Sequence, residues 1–175
     1  RTIPRNLHGL LEDRPVFAMD LCCGSGDSTE VLACYLPKGS RLLGLDFSAA
    51  FIERARRKRY AHRSGVPTET QFTVQSVLET FRDAKGEALP SGTVDVVNAS
   101  GAVGCHFDEA ASTKLAQEVS RVLKPGGLAM IDSGLPGTST SLLVRIFKEQ
   151  GFEMQRKTRS CLLDPYTQVC FVKKG

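Results

Sequence analysis

Residues 16–29, VFAMDLCCGSGDST, set a short apolar run directly against a glycine turn and then against residues that start helices. A strand ending in such a turn and continuing as a helix is the repeating unit of open α/β sheets, and the turn is where their ligands sit. The chain repeats the alternation. RLLGLD (41–46), QFTVQS (71–76), VDVVNAS (94–100) and LAMIDS (128–133) read as further strands. Helices are expected over 28–36, over 49–63 behind a Ser48 cap, over 108–124 behind an Asp108 cap, and over 139–151, closed by Gly151. Two last extended runs, 152–161 and 167–174, have only LLDPY between them, so at least one strand near an edge must run antiparallel. The expectation is one α/β domain over residues 1–175, a Rossmann-like doubly wound sheet of about seven strands, mostly parallel with one antiparallel strand near an edge.

The turn also restricts its ligand. A dinucleotide fingerprint needs a third glycine, yet the frame from Gly24 and Gly26 reaches Thr29, and no Gly-Lys-Ser/Thr phosphate loop is present. Two carboxylates, Asp20 and Asp27, bracket the turn and repel a pyrophosphate that the helix N-terminus would otherwise attract. Twenty residues past Gly26, Asp46 ends the second strand, where a carboxylate accepts both hydroxyls of a ribose. A nucleoside carrying positive charge and no phosphates meets these terms, and S-adenosylmethionine is such a molecule.

AMDLCCGSGD, followed by LLGLDFS and later by RVLKPGGLAMID, resembles the class I S-adenosylmethionine-dependent methyltransferases over nearly the whole chain. Its first part, as far as residue 76, is most similar to the quinone C-methyltransferases of the ubiquinone and menaquinone type, including their plant relatives. The resemblance implies a cofactor site. Asp20 is the acid that bonds the methionine amino group, often through water; Gly24 and Gly26 let backbone approach the cofactor; Asp46 holds the ribose, and Phe47 lies against the adenine. Cys22 stands where the family has its first glycine, which is tolerable where the backbone stays extended. Ser76 replaces an Asp that touches the adenine amino group, the Val77 N–H faces an adenine ring nitrogen, and Asn98 and Ala99 present backbone to the methionine part. S-adenosylhomocysteine would be the product.

The acceptor is less constrained. Methyl transfer is an in-line displacement that mainly requires alignment, and a general base is optional. His106 is the side chain after the fourth strand able to accept a proton near neutral pH, so it is the catalytic candidate, against a plainer role at the start of the next helix. The absence of an Asn/Asp-Pro-Pro-Tyr/Phe motif and of a Pro-Cys pair counts against nucleobase acceptors, and a small molecule is the expected partner. The run ERARRKRYAHR (53–63) places six basic residues on one expected helix, a solvated face or a nucleic-acid track; QRKTR (155–159) belongs to another edge. Cys22, Cys23 and Cys105 with His106 suggest a soft-metal set in principle, but small buried cysteines are common fillers and no metal is expected.

Six cysteines without a C-x-x-C pair and no apolar run of about 20 residues point to a cytoplasmic protein with free thiols and no membrane span. The net charge of +4 allows an anionic partner without requiring one. Residues 1–15, opening on Arg1, read as the remnant of an N-terminal lid segment, because the other connections are too short to cover a substrate. Two rival readings stay open, an RNA or protein methyltransferase and a catalytically silent cofactor-binding domain. The oligomeric state is not fixed by these features.

Overall fold

The computed structural model describes residues 2–9 and 14–175; Arg1 and residues 10–13 of the expected lid remnant lie outside the described residues. Among the described residues there are six helices and seven strands: α1 (Thr2–Leu7), β1 (Phe17–Leu21), α2 (Asp27–Tyr35), β2 (Arg41–Asp46), α3 (Ala49–Arg56), β3 (Glu69–Val74), β4 (Val94–Ala99), α4 (Val103–His106), α5 (Glu109–Val122), β5 (Leu123–Ser133), α6 (Thr140–Glu149), β6 (Phe152–Thr158) and β7 (Thr167–Lys173). The strands form one sheet in the order β3-β2-β1-β4-β5-β7-β6. β7 is antiparallel to both its neighbours and the other pairings are parallel. This is the expected doubly wound sheet, with the odd strand one place in from the edge.

Alternation along β1 and β4 sorts side chains to the two faces. Met19, Leu21, Val97 and Ala99 join one core with Leu115, Val119 and Val122 of α5 and Leu143, Ile146 and Phe147 of α6. Ala18 and Val96 join the other with Ile3 and Leu7 of α1, Leu32 of α2 and Ile52 of α3. Each fully buried Leu, Val or Ile contributes roughly 1.5–3 kcal/mol. The closing hairpin is fastened by stacked Phe147 and Phe171, 4.5 Å between ring centres.

Helix starts are set locally. Ser48, Asp108 and Ser139 accept the N–H groups of Phe51, Ala111 and Leu142, each satisfying a donor that the first turn leaves unpaired. The helix expected over 49–63 ends at Arg56 instead. Tyr60 is buried, donates its hydroxyl to the Ala55 carbonyl at 2.9 Å, and packs on Phe72 at 5.4 Å, so the chain folds back rather than continuing. A short bridge between Ala61 and Pro67 closes the return. The six basic residues of 53–63 therefore do not share a helix, and Ile52 rather than the exposed Phe51 faces the sheet. Asp108, not His106, caps α5. β5 begins at Leu123, earlier than expected, with an irregular register against β4 between Val94 and Val96. α1 and the single-turn α4 have no counterpart among the expected elements.

Candidate active site

The strand order reverses between β1 and β4, which are neighbours in the sheet, so a crevice opens beyond their carboxyl ends. The turn after β1 lines it. Cys23 N–H is held by the Leu45 carbonyl at 3.0 Å and Gly26 N–H by the Cys23 carbonyl at 2.9 Å, which ties the turn to the end of β2. Asp46 completes the tie. Its buried carboxylate accepts the Gly24 N–H at 2.9 Å on one oxygen and the Ser48 N–H at 2.8 Å on the other. One lone pair on each oxygen is left over.

Asp20, fully buried on β1, accepts Asn98 Nδ2 at 2.7 Å on one oxygen. Its other oxygen accepts the Ser28 and Thr29 hydroxyls, at 2.7 and 2.6 Å, from the first turn of α2. Asp20 and Asn98 face each other in the parallel register, which is why their side chains meet on one face. Burial raises the Asp20 pKa above the ordinary carboxylate value; the bonds from Thr29, Asn98 and Ser28 oppose the rise, and the Asp46 charge adds to it. On β5, Asp132 accepts three N–H groups, from Ala102, Val103 and Gly104, at 3.3, 3.2 and 2.8 Å, and is likewise raised by burial. Cys22 reports the combined field: its thiol is pushed up to about 12, first by burial and then by Asp46, Asp132 and Asp20. Among the described residues none of these three carboxylates has a Lys or Arg partner. The crevice is an acidic floor of satisfied but uncompensated charge, suited to a cation.

Several expected residues converge here and others differ in detail. Cys22 is not extended: its φ is 53°, the left-handed region. A side chain there costs roughly 1–2 kcal/mol, so the glycine of other sequences is replaced at a price in strain. Gly24 also has a positive φ, 52°, and a Cβ on it would meet nothing within 4 Å, leaving an open face toward the crevice. Gly26 is needed for a different reason. A Cβ there would lie 2.1 Å from the Tyr60 hydroxyl, so this glycine is demanded by packing beneath the turn. Phe47 is 78% exposed beside Asp46. The Ser76 hydroxyl accepts the Leu78 N–H at 3.2 Å and keeps its own O–H and a second lone pair, and the Val77 side chain is buried in the core. Asn98 contributes its side chain as well as backbone, and buried Ala99 lies opposite Leu21.

His106 ends α4 with an exposed ring that no hydrogen bond holds among the described residues. Cys105 contacts the Tyr166 hydroxyl, and among the described residues no group of three Cys, His, Asp or Glu could hold a metal. Ser28, Thr29 and Gln168 are polar members of this floor that sequence reasoning passed over. The Ser-Thr pair directly after Asp27 was the available signal for the first two.

Comparison with known proteins bears on this geometry. Residues 18–127 match the family model described as "Methyltransferase domain". A 2-phytyl-1,4-naphtoquinone methyltransferase of Thermosynechococcus vestitus is 33% identical over 70% of this chain and 48% of its own length. A demethylmenaquinone methyltransferase of Lactiplantibacillus plantarum is 31% identical over 67% of this chain and 45% of its own. The chain thus spans less than half the length of these curated relatives. Among solved structures, a SAM-dependent methyltransferase of Methanosarcina mazei superposes with a TM-score of 0.73 at 17% identity, over 96% of both chains. The magnesium protoporphyrin IX methyltransferase of Synechocystis with bound SAH superposes with a TM-score of 0.74 at 14% identity, over 99% of this chain and 80% of that one. With the family model covering more than half of the chain, and with the fold shared with solved S-adenosylmethionine-dependent methyltransferases, the chain belongs to the methyltransferase-domain family.

Proposed function

We propose that this chain, as one domain over residues 1–175, transfers the methyl group of S-adenosylmethionine to a small organic acceptor by in-line displacement. The observation that carries the reading is the acidic floor: Asp20 and Asp46, both buried and without a basic partner among the described residues, bracket an open turn. That pair of acceptors suits a cationic nucleoside and repels a pyrophosphate.

The cofactor supplies a methyl group already activated by its sulfonium. Asp46 accepts the ribose hydroxyls with the lone pairs that Gly24 and Ser48 leave over, and exposed Phe47 lies against the adenine. Ser76 and the backbone of Val77 take the adenine edge, while Asp20 orients the ammonium and the backbone at Asn98 and Ala99 borders the methionine part. Cys22, Gly24 and Gly26 shape the turn. His106 takes the acceptor's proton; with no partner among the described residues to hold its ring, it adapts to the acceptor. Relatives named for naphthoquinone and demethylmenaquinone methylation support a small-molecule acceptor.

The test is methyl transfer from S-adenosylmethionine labelled in its methyl group, with a prenylated 1,4-naphthoquinol in detergent and with total RNA and protein as parallel acceptors. Label in the organic phase is expected, falling by about 100-fold in His106→Asn. Label confined to acid-insoluble material contradicts the small-molecule reading. An RNA acceptor is favoured by one feature, a groove of about 620 Å³ between α1 and β6 lined by Arg5, Arg156, Lys157 and Arg159 and, among the described residues, by no carboxylate. RNA labelling abolished by salt would turn the account to that reading. No helix among the described residues is long and apolar enough to cross a membrane, and all six cysteines are free, which supports a cytoplasmic location.

A further inference from the structure

The bond between Asn98 and Asp20 is the last step of a longer buried chain. Thr158 donates its hydroxyl to Asn6 Oδ1 at 2.7 Å; Asn6 Nδ2 donates to Gln168 Oε1 at 2.8 Å; Gln168 Nε2 donates to Asn98 Oδ1 at 3.0 Å; Asn98 Nδ2 donates to Asp20 at 2.7 Å. All five side chains are buried. The path crosses from edge strand β6 through α1 and β7 to β4 and β1, joining residues far apart in sequence. Every donor points toward Asp20.

That direction is forced from the carboxylate end. An ionised Asp20 only accepts, so Asn98 must turn its NH₂ toward it. The Asn98 carbonyl is then left for the Gln168 NH₂, the Gln168 carbonyl for Asn6, and the Asn6 carbonyl for the Thr158 hydroxyl. Gln168 spends its second N–H on Ser100 Oγ at 2.9 Å, at the mouth of β4. Aligned in this way, the amides polarise one another, and the last of them holds the plane of the Asp20 carboxylate. With Asn98, Ser28 and Thr29 as donors, one lone-pair site of that carboxylate is left for a ligand, so its direction depends on the carboxylate not turning.

We propose that Gln168 and Asn6 are positioning residues for the cofactor's ammonium, and that α1 belongs functionally to the cofactor site although it contributes no group to it. The proposal rests on the reading of Asp20 as the acid that faces that ammonium. Docking of α1 completes the relay. Loss of α1 from its place leaves the Gln168 carbonyl without its buried donor, so Gln168 holds Asn98, and through it the plane of the Asp20 carboxylate, less firmly.

The test compares two ligands by calorimetry: S-adenosylhomocysteine, which carries the ammonium, and 5′-methylthioadenosine, which lacks the amino-acid part. Gln168→Leu is expected to weaken S-adenosylhomocysteine by about tenfold while 5′-methylthioadenosine changes by less than about twofold. Thr158→Val, a same-shape change at the far end of the relay, gives the same split at smaller size, about threefold, and decides the matter if Gln168→Leu does not fold. Equal weakening of both ligands, or no weakening in a folded variant, overturns the proposal. Failure of the unaltered chain to bind S-adenosylhomocysteine overturns the cofactor reading itself, which is a separate result.

Discussion

The two sides of the crevice are built in opposite ways. On the β1–β2 side both acids are held: Asp46 accepts two backbone N–H groups, Asp20 accepts three side-chain donors, and the turn between them is pinned to Leu45. Beyond β4, β5 and β6 the rim is open. Among the described residues His106 has no partner, and Leu135, Leu162 and Leu163 are 71%, 88% and 90% exposed. A rigid, pre-satisfied wall recognises one ligand by the lone pairs it has left. A loose apolar rim recognises little until something covers it, so the first side identifies a cofactor and the second leaves the acceptor to assay.

This contrast is broken most severely at Asp46. In Asp46→Ala the Gly24 and Ser48 N–H groups lose their acceptor together with the ribose hydroxyls. S-adenosylhomocysteine affinity is expected to fall by at least about 100-fold in calorimetry, since bonds to a charged group contribute about 1.5–3 kcal/mol each. A loss under about fivefold would mean that the wall is not the cofactor's.

The two glycines of the turn sharpen the comparison next. Gly26→Ala meets the Tyr60 hydroxyl and a φ of 86°, and is expected to destabilise the fold by about 3 kcal/mol in urea unfolding. Adding Tyr60→Phe should return part of that loss. Gly24→Ala, with open space around it, costs only about 1 kcal/mol of stability. Equal losses for the two would contradict a turn supported from below and open above.

The pH dependence follows from the raised Asp20 and Asp132 pKa values. A carboxyl whose folded pKa lies above its unfolded one contributes stability at pH below the unfolded value, and loses it as pH rises through the folded value. The unliganded chain therefore loses stability on going from acid toward neutral pH at these two sites. A cationic ligand prefers the ionised floor, so its thermal shift grows over the same range. Asp20→Asn should flatten that growth, and a shift independent of pH in the parent would contradict the assignment.

The smallest expected effect lies at Cys22. Glycine normally destabilises relative to alanine, but at a φ of 53° the order should reverse, with Cys22→Gly about 1 kcal/mol more stable than Cys22→Ala by thermal unfolding.

Much of the rigid side was legible in the sequence because its signals are local. A strand-turn-helix, the caps at Ser48 and Asp108, and an acid ending β2 each declare themselves within a few residues. What stayed hidden depends on contacts distant in sequence. Tyr60 stops α3 by packing on Phe72 and claims Gly26 from beneath, and Cys22 is forced left-handed by a turn tied to β2. α1, six residues long, is held by its place on the sheet rather than by any helix signal, and Asn6 meets Gln168 only because the sheet brings β7 there. The acceptor rim carries few such constraints, so neither sequence nor structure narrows it as far.

In the proposed function the turn at residues 22–26, with Asp20 and Asp46, holds a cationic nucleoside and rejects a pyrophosphate. Calorimetric titration of the unaltered chain with S-adenosylhomocysteine, and separately with NAD, tests it most directly. One saturable site for S-adenosylhomocysteine and no heat with NAD is the predicted result; binding of NAD, or of neither, would contradict it.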